Sequence, residues 1–119
     1  MNSNKMDMVR LVDLEDYERL PRTKWNIKQP AENEVREEAL ESETGLDLVL
    51  VPGLAFSGRG ERCGRGRGYY DTYLARAAAA QGRAPATVAL AFRQQLVAEV
   101  PTDPHDFTVD IVLCSDQEH

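Results

Sequence analysis

The sequence predicts an α/β domain built on a mainly parallel sheet, and three observations predict it. Residues 46–51 (LDLVLV) and 87–92 (TVALAF) are short, nearly all-apolar runs, the composition of strands buried on both faces. Between them, Tyr70, Tyr73, Leu74 and Ala77 fall at i, i+3, i+4 and i+7, one apolar stripe along a helix. A third apolar run, 109–113 (VDIVL), follows. Strand, loop, helix and strand make a right-handed crossover between parallel neighbours the default.

Taken in order, residues 8–12 suit a short strand. Asp13 is a good N-cap for a short helix that presents Leu14, Tyr17 and Leu20 on one face and stops before Pro21. Residues 21–33 read as an irregular polar segment that holds the single tryptophan, Trp25. Residues 34–43 suit an exposed helix, with Gly45 placed to end it. After the 46–51 strand come residues 52–68, with glycine at 53, 58, 60, 64, 66 and 68; no regular element fits there. The helix over 69–80 is favoured by the four alanines 77–80 and ended by Gly82 and Pro85. No internal repeat is present.

At 119 residues the chain is expected to form a single domain over 1–119. A hydrophobic content of 42% supports a small core. The formal net charge of −6 argues against general nucleic-acid affinity, which rests on an excess of basic residues. No apolar run approaches the ~20 residues of a membrane span, and the first ten residues, MNSNKMDMVR, lack the apolar stretch of a secretory signal. Cys63 and Cys114 form no paired motif and read as reduced thiols of an intracellular protein.

Charge is unevenly distributed. Residues 31–47 carry seven acids and one Arg, and residues 98–119 carry six acids and no Lys or Arg. Between these acidic stretches, residues 59–67 carry Arg59, Arg62, Arg65 and Arg67 against Glu61 alone. A cationic island in an anionic chain suits a compact anionic ligand better than a long polyanion. Arg clusters in loops are also commonly just solvated, and composition alone does not decide between the two.

The 52–68 loop leaves the carboxyl end of a strand and feeds a helix N-terminus, where ligands of open α/β sheets bind. Glycines let backbone N–H groups approach phosphate oxygens, and the helix terminus adds partial positive charge. Arg62, Arg65 and Arg67 can add bidentate hydrogen bonds. These features describe a phosphate cradle, with a flexible surface loop as the plain alternative. There is no G-x-x-x-x-G-K-[ST], and Gly58-x-Gly60-x-x-x-Gly64 breaks the dinucleotide fingerprint. An RNA-contacting reading of GRGRG beside Tyr69 is disfavoured by its shortness and by the acidic chain. Asp71 reads equally as a helix-dipole carboxylate or as a Mg²⁺ ligand working with bound phosphates. Asp106, in DPHDF, is the candidate second carboxylate, or simply a loop Asp before a strand.

The string over 51–73, VPGLAFSGRGERCGRGRGYYDTY, resembles the signature of the 5-formyltetrahydrofolate cyclo-ligases (5,10-methenyltetrahydrofolate synthetases), a PG and an aromatic followed by R-x-G-R-G-[KR]-G-Y-Y-D. ALAFRQQL with VPTDPHDFTVDIVL resembles the family's second block, and MDMVR, WNIKQP and VREEAL resemble its animal members. The resemblance implies ATP-dependent cyclisation of 5-formyltetrahydrofolate to 5,10-methenyltetrahydrofolate, with release of ADP and phosphate. It implies small-molecule substrates, with neither nucleic acid nor membrane as partner, and a cytoplasmic location. It also implies a three-layer α/β fold like that of sugar-phosphate isomerases and CoA transferases.

By the family's pattern Arg62, Cys63, Gly64, Arg65, Gly66, Arg67, Gly68, Tyr69 and Tyr70 cradle ATP. Arg65, Gly66, Arg67, Gly68 and Tyr69 also face the reacting end of the folate, with Arg65, Arg67 and Tyr69 in catalytic roles. Asp71 and Asp106 hold Mg²⁺, and Trp25 packs on the folate ring system, its plain alternative being a structural tryptophan. Arg67 stands where many members have lysine, and Cys63 where a bulky aliphatic is common. The resemblance reaches only the family's C-terminal part. The family's N-terminal basic helix, its first strands, and the glutamate and aliphatic residue of the folate pocket find no counterpart in these residues. The chain alone is therefore expected to leave apolar sheet surface exposed. The alternative to an active ligase is a weak or inactive fragment that retains the nucleotide- and folate-binding loop.

Overall fold

The computed structural model describes residues 6–64, 68–102 and 106–115. At its centre is a three-stranded sheet of β1 (Leu48–Leu50), β4 (Ala86–Ala91) and β6 (Ile111–Cys114), in the order β1-β4-β6. Both pairings are parallel, with Leu50 opposite Val88 and Leu90 opposite Leu113. The register of β6 is fixed by side chains as well as by the ladder. The Asp110 carboxylate accepts the Thr87 N–H at 2.8 Å, and the Asp110 N–H donates to the Thr87 hydroxyl at 2.9 Å.

The helix α2 (Tyr69–Gln81) runs between β1 and β4, as the 3.6-residue periodicity predicts. Tyr73, Leu74 and Ala77 are its buried residues, and Gly82 caps its end. Leu74 meets Val49 and Val51, so α2 covers one face of the sheet. Further along that face, Phe56 packs with Ala89, Ala91 and Val109. Phe107 reaches both clusters.

Four expectations are corrected. Residues 52–64 are not without elements. They form β2 (Ala55–Ser57) and β3 (Arg62–Cys63), an antiparallel pair, with β5 (Leu96–Val97) added parallel on the other edge of β2. Glycine density hid this hairpin, because only Phe56 and Ser57 of β2 are buried. Residues 34–43 hold only a 3₁₀ turn, Ala39–Glu41, in place of a helix. Glu34, Glu37, Glu38 and Glu41 would have stood three and four apart on a helix, repelling one another. The extended backbone instead bridges Glu38 to Val9. Residues 8–12 give that single bridge and no strand.

The fourth correction concerns the sheet itself. β1 is buried at Val49 alone, with Leu48 and Leu50 exposed. β4 alternates in the same way, its buried residues Thr87, Ala89 and Ala91 facing α2 and Phe56. The strands are therefore covered on one face, and the third layer of the expected three is not found among the described residues.

The N-terminal segment is held mainly by polar pins. The helix α1 (Leu14–Glu18) is capped by Asp13, whose carboxylate accepts the Asp16 N–H at 2.8 Å, and it buries no residue. Arg36 grips Asp16 with two hydrogen bonds of 2.7 Å and donates to the Arg10 carbonyl at 2.8 Å. Glu38, buried, accepts from the Met8 N–H at 2.6 Å, the Leu40 N–H at 2.7 Å and the Tyr73 hydroxyl at 3.1 Å. Burial, then this carboxylate, push the Tyr73 hydroxyl well above the usual phenol range.

Candidate functional site

The loop from β1 to α2 begins as a hairpin closed by its own backbone. The Leu54 N–H donates to the Cys63 carbonyl at 2.7 Å and the Ser57 N–H to the Glu61 carbonyl at 3.0 Å. The Ser57 hydroxyl oxygen accepts the N–H groups of Arg59 and Glu61 across the turn. Gly60 sits there with φ +85°, where an added Cβ would run into the Val109 carbonyl oxygen. Its own carbonyl accepts the Val109 N–H at 2.8 Å, joining the hairpin to the irregular stretch that leads into β6.

The cationic island is partly spent on the fold. Arg59 pairs with Glu61 at 3.1 Å. The Ser57 hydroxyl, then Arg59, hold the Glu61 carboxyl below the usual carboxylate range. Arg62 donates its Nε–H to the Pro52 carbonyl at 2.6 Å. Its guanidinium lies 5.2 Å from the Tyr70 ring centroid and 5.5 Å from that of Phe107. Hydrogen bonding and stacking of this kind fix a guanidinium in place while leaving its charge available. The guanidinium also crowds Gly64, where a Cβ would stand 3.0 Å from it. Arg65, Gly66 and Arg67, the centre of the expected cradle, lie outside the described residues.

Past them, Gly68 adopts φ +68° and opens α2 without a side-chain cap, a conformation that favours glycine. Tyr69 is the first residue of the helix and half-buried; Tyr70 is half-buried against Val49, Val51 and Leu74. Asp71 lies in the first turn. Its Oδ1 accepts the Phe107 N–H at 3.0 Å. Its Oδ2 lies 4.0 Å from where a Cβ on Gly68 would stand, so it faces the exit of the loop. The hydrogen bond holds Asp106, half-buried and next to Phe107 in the chain, close to Asp71.

Asp71, Asp106, Arg62 and Tyr70 are thus brought together around Phe107. Cys63 is exposed on β3, its thiol 3.8 Å from the Gly64 carbonyl oxygen. Trp25 lies elsewhere, on an exposed turn of the N-terminal segment, where Lys24 stands 5.0 Å over its ring. Phe107 is the residue that sequence reasoning missed. Its signal was an aromatic directly after the candidate Asp106.

The Asp71 carboxylate, with one oxygen not taken by the Phe107 N–H, could serve as one ligand of a divalent cation brought by a phosphate compound. Magnesium takes one or two carboxylates and completes its shell with phosphate oxygens and water. Asp71 keeps Oδ2 towards the loop, and Asp106 is the chain neighbour of the residue that binds its Oδ1. Among the described residues no cluster of three or more His, Cys, Asp or Glu could cage a metal by itself. The donor set fits magnesium delivered with a phosphate ligand rather than an all-protein metal site.

The model of the 5-formyltetrahydrofolate cyclo-ligase family matches residues 1–115. A 5-formyltetrahydrofolate cyclo-ligase of Mus musculus is 55% identical over 114 residues, covering 96% of this chain and 56% of that protein. A probable 5-formyltetrahydrofolate cyclo-ligase of Caenorhabditis elegans is 38% identical over 112 residues, covering 93% and 54%. A mitochondrial 5-formyltetrahydrofolate cyclo-ligase of Arabidopsis thaliana is 35% identical over 120 residues, covering 92% and 43%. The chain spans about half the length of these relatives. Among the described residues no helix is long and apolar enough to cross a membrane. With the family model matched almost end to end and the Gly/Arg loop leading into the Asp71 turn, the chain belongs to the 5-formyltetrahydrofolate cyclo-ligase family.

Proposed function

We propose that the chain carries the nucleotide-handling part of an ATP-dependent cyclisation of 5-formyltetrahydrofolate. The observation that supports this reading is the Asp71–Phe107 hydrogen bond, which ties the first turn of α2, at the exit of an Arg- and Gly-rich loop, to the residue that follows Asp106. In the reaction the γ-phosphoryl group of ATP passes to the formyl oxygen and ADP leaves. N10 then attacks the formyl carbon and gives up its proton. The carbon–oxygen bond breaks, releasing phosphate and 5,10-methenyltetrahydrofolate.

Phosphoryl transfer asks the protein mainly for positioning and charge stabilisation. In this reading the stretch from Arg62 to Tyr70 (Cys63, Gly64 and Gly68 included) holds the phosphates. Arg65 and Arg67 supply charge at the transferred group, and Gly66, Gly68 and Tyr69 face the formyl end of the folate. Asp71 and Asp106 would hold Mg²⁺, which when bound neutralises phosphate charge as it develops. Arg62, already fixed between Tyr70 and Phe107, orients the approach to the loop without needing to reorganise. Kinship with the α/β fold of sugar-phosphate isomerases and CoA transferases, and a cytoplasmic location, belong to the same reading.

A second reading, nucleotide binding without turnover, is favoured by Trp25. The tryptophan assigned to the folate ring is exposed and stacked only by Lys24 among its described ring contacts. One experiment separates the two. The purified chain is mixed with 5-formyltetrahydrofolate, Mg²⁺ and ATP, and the near-UV band of the methenyl product is followed beside calorimetric titration of Mg²⁺–ATP. Asn at position 71 keeps an acceptor for the Phe107 N–H and loses the charge. ATP-dependent product that disappears in Asp71→Asn supports the ligase. Binding without product, weakened in the same variant, supports the second reading. A chain that does neither refutes both.

A further inference from the structure

Where β1 gives way to the Gly/Arg loop, the Val51 N–H still donates to the Val88 carbonyl of β4 at 2.9 Å. Beyond that bond a side chain joins the two ends. Gln95 closes the 3₁₀ turn Arg93–Gln95 that follows β4. Its Oε1 accepts the Phe92 N–H at 2.8 Å, and its Nε2 donates to the Gly53 carbonyl at 2.9 Å. A carboxamide carries the donor and acceptor of a peptide group, so Gln95 serves as one more rung between the strand ends. The preceding carbonyl, that of Pro52, is taken by the Arg62 Nε–H at 2.6 Å. Directly after Gln95, Leu96 and Val97 pair with Phe56 and Ser57 of the hairpin.

From this we propose that Gln95 is a positioning residue: its carboxamide fixes the Pro52–Gly53 turn and, through that turn, the Arg62 guanidinium at the mouth of the loop. The proposal rests on the nucleotide reading above, in which Arg62 belongs to the phosphate-holding stretch. Glycine is required at 53, because a Cβ there would stand 2.7 Å from Cζ of Phe56. The same glycine brings rotational freedom to the point where the hairpin leaves the sheet. The Pro52 and Gly53 carbonyls belong to the two peptide units on either side of it. Holding both, one by Arg62 and one by Gln95, sets its φ and ψ together. Arg62 is thereby aimed as well as anchored. With Nε spent on Pro52, its terminal nitrogens lie beside Gly64, 3.0 and 3.2 Å from where a Cβ would stand. Gly64 is where the loop leaves the hairpin, so the guanidinium is presented to the loop itself. Release of the Gly53 carbonyl would free the turn, and the Pro52 carbonyl would carry Arg62 with it. Gln95 needs no contact with a bound phosphate to act in this way; it supports the group that makes one.

The test uses the full chain with two readouts, one free of ligand. In nitrogen-15-edited NMR spectra of the wild type, the Arg62 Nε–H is expected as a distinct signal, protected from water exchange by the Pro52 carbonyl. Mg²⁺–ATP is expected to bind in calorimetric titration. Gln95→Met keeps the length of the side chain and loses both hydrogen bonds. It should strip the Arg62 signal of its protection and weaken Mg²⁺–ATP about tenfold, a usual loss for a group that orients a ligand from behind. Gln95→Asn is too short to span from Phe92 to Gly53 and should act alike; it is read in place of the methionine variant if circular dichroism shows that one unfolded. Arg36→Met removes the grip on Asp16 and the Arg10 carbonyl in the N-terminal segment, and should leave both readouts within about twofold. A Gln95 variant that keeps the Arg62 signal protected, or that binds Mg²⁺–ATP as tightly as a wild type that binds, overturns the proposal and leaves the nucleotide reading standing. An equal loss in Arg36→Met also overturns it, since the effect is then one of stability alone. Protection of Arg62 that depends on Gln95, in a wild type without affinity for Mg²⁺–ATP, bears out the hold of Gln95 on Arg62 and refutes the nucleotide reading.

Discussion

Replacing Tyr73 by Phe removes one hydroxyl from a contact on which the position of α2 depends. The side chain is 1% exposed, and its hydroxyl lies 3.1 Å from both oxygens of Glu38. Glu38 also accepts the Met8 and Leu40 N–H groups and has the Arg76 guanidinium 3.7 Å away. In the variant the carboxylate keeps those three partners. What disappears is one hydrogen bond to a charged group, worth about 1.5–3 kcal/mol. Glu38→Ala is the harsher change, because it strands the hydroxyl and two backbone donors together, and should cost about 3–5 kcal/mol. At about 4 °C per kcal/mol for a chain of this size, Tyr73→Phe lowers Tm by about 6–12 °C. Urea titration followed by circular dichroism measures the loss, with an unchanged slope certifying a change in stability alone. Burial and the carboxylate hold the Tyr73 hydroxyl protonated beyond the usual phenol pKa. The difference between wild type and variant should therefore persist to about pH 10. A Tyr73→Phe chain within ~0.5 kcal/mol of the wild type would refute the reasoning.

Two further outcomes follow from geometry already described. Gly60→Ala should destabilise by at least ~2 kcal/mol, since φ +85° disfavours any side chain and the Cβ meets the Val109 carbonyl. Gly58→Ala, with nothing within 4 Å, should stay within ~0.5 kcal/mol; urea midpoints of the pair decide. The Arg36 hydrogen bonds, then the Val12 N–H, hold the Asp16 carboxyl well below the usual carboxylate range. A carboxyl lowered in the folded state adds stability that is complete above its unfolded pKa and lost as pH falls through the folded one. The stability gap between wild type and Arg36→Met should therefore narrow as pH falls from about 5 towards about 2, and unfolding titrations across that window will show it.

What could be read from the sequence was what local periodicity dictates. The Tyr70–Tyr73–Leu74–Ala77 stripe and the apolar run at 87–92 gave α2 and β4 to within one residue at each end, and the run at 109–113 gave β6 to within two. Gly/Arg spacing and the acid that follows gave the loop and Asp71. Long-range polar pairing was not legible. Glu38 is one acid among seven in its stretch, and nothing local marks it for burial. Its partner Tyr73 lies 35 residues away, and that contact, together with the bridge to Val9, overrides the helical tendency of 34–43. Arg36 and Asp16 find each other across 20 residues in the same way. The hairpin within 52–64 was hidden because its strands are too short for alternation to register. Its stability comes instead from Phe56, which reaches the core over Ala89 and Ala91.

The stretch that leads into β6 is tied at two points. The Val109 N–H holds the Gly60 carbonyl of the hairpin at 2.8 Å, and the Phe107 N–H holds Asp71 of α2 at 3.0 Å. Phe107 adds its ring against the Arg62 guanidinium. The hairpin, the helix and Asp106 are therefore linked as the members of a truss. A load that draws the hairpin towards α2 is carried along this stretch of backbone to Asp106, with Phe107 as the joint.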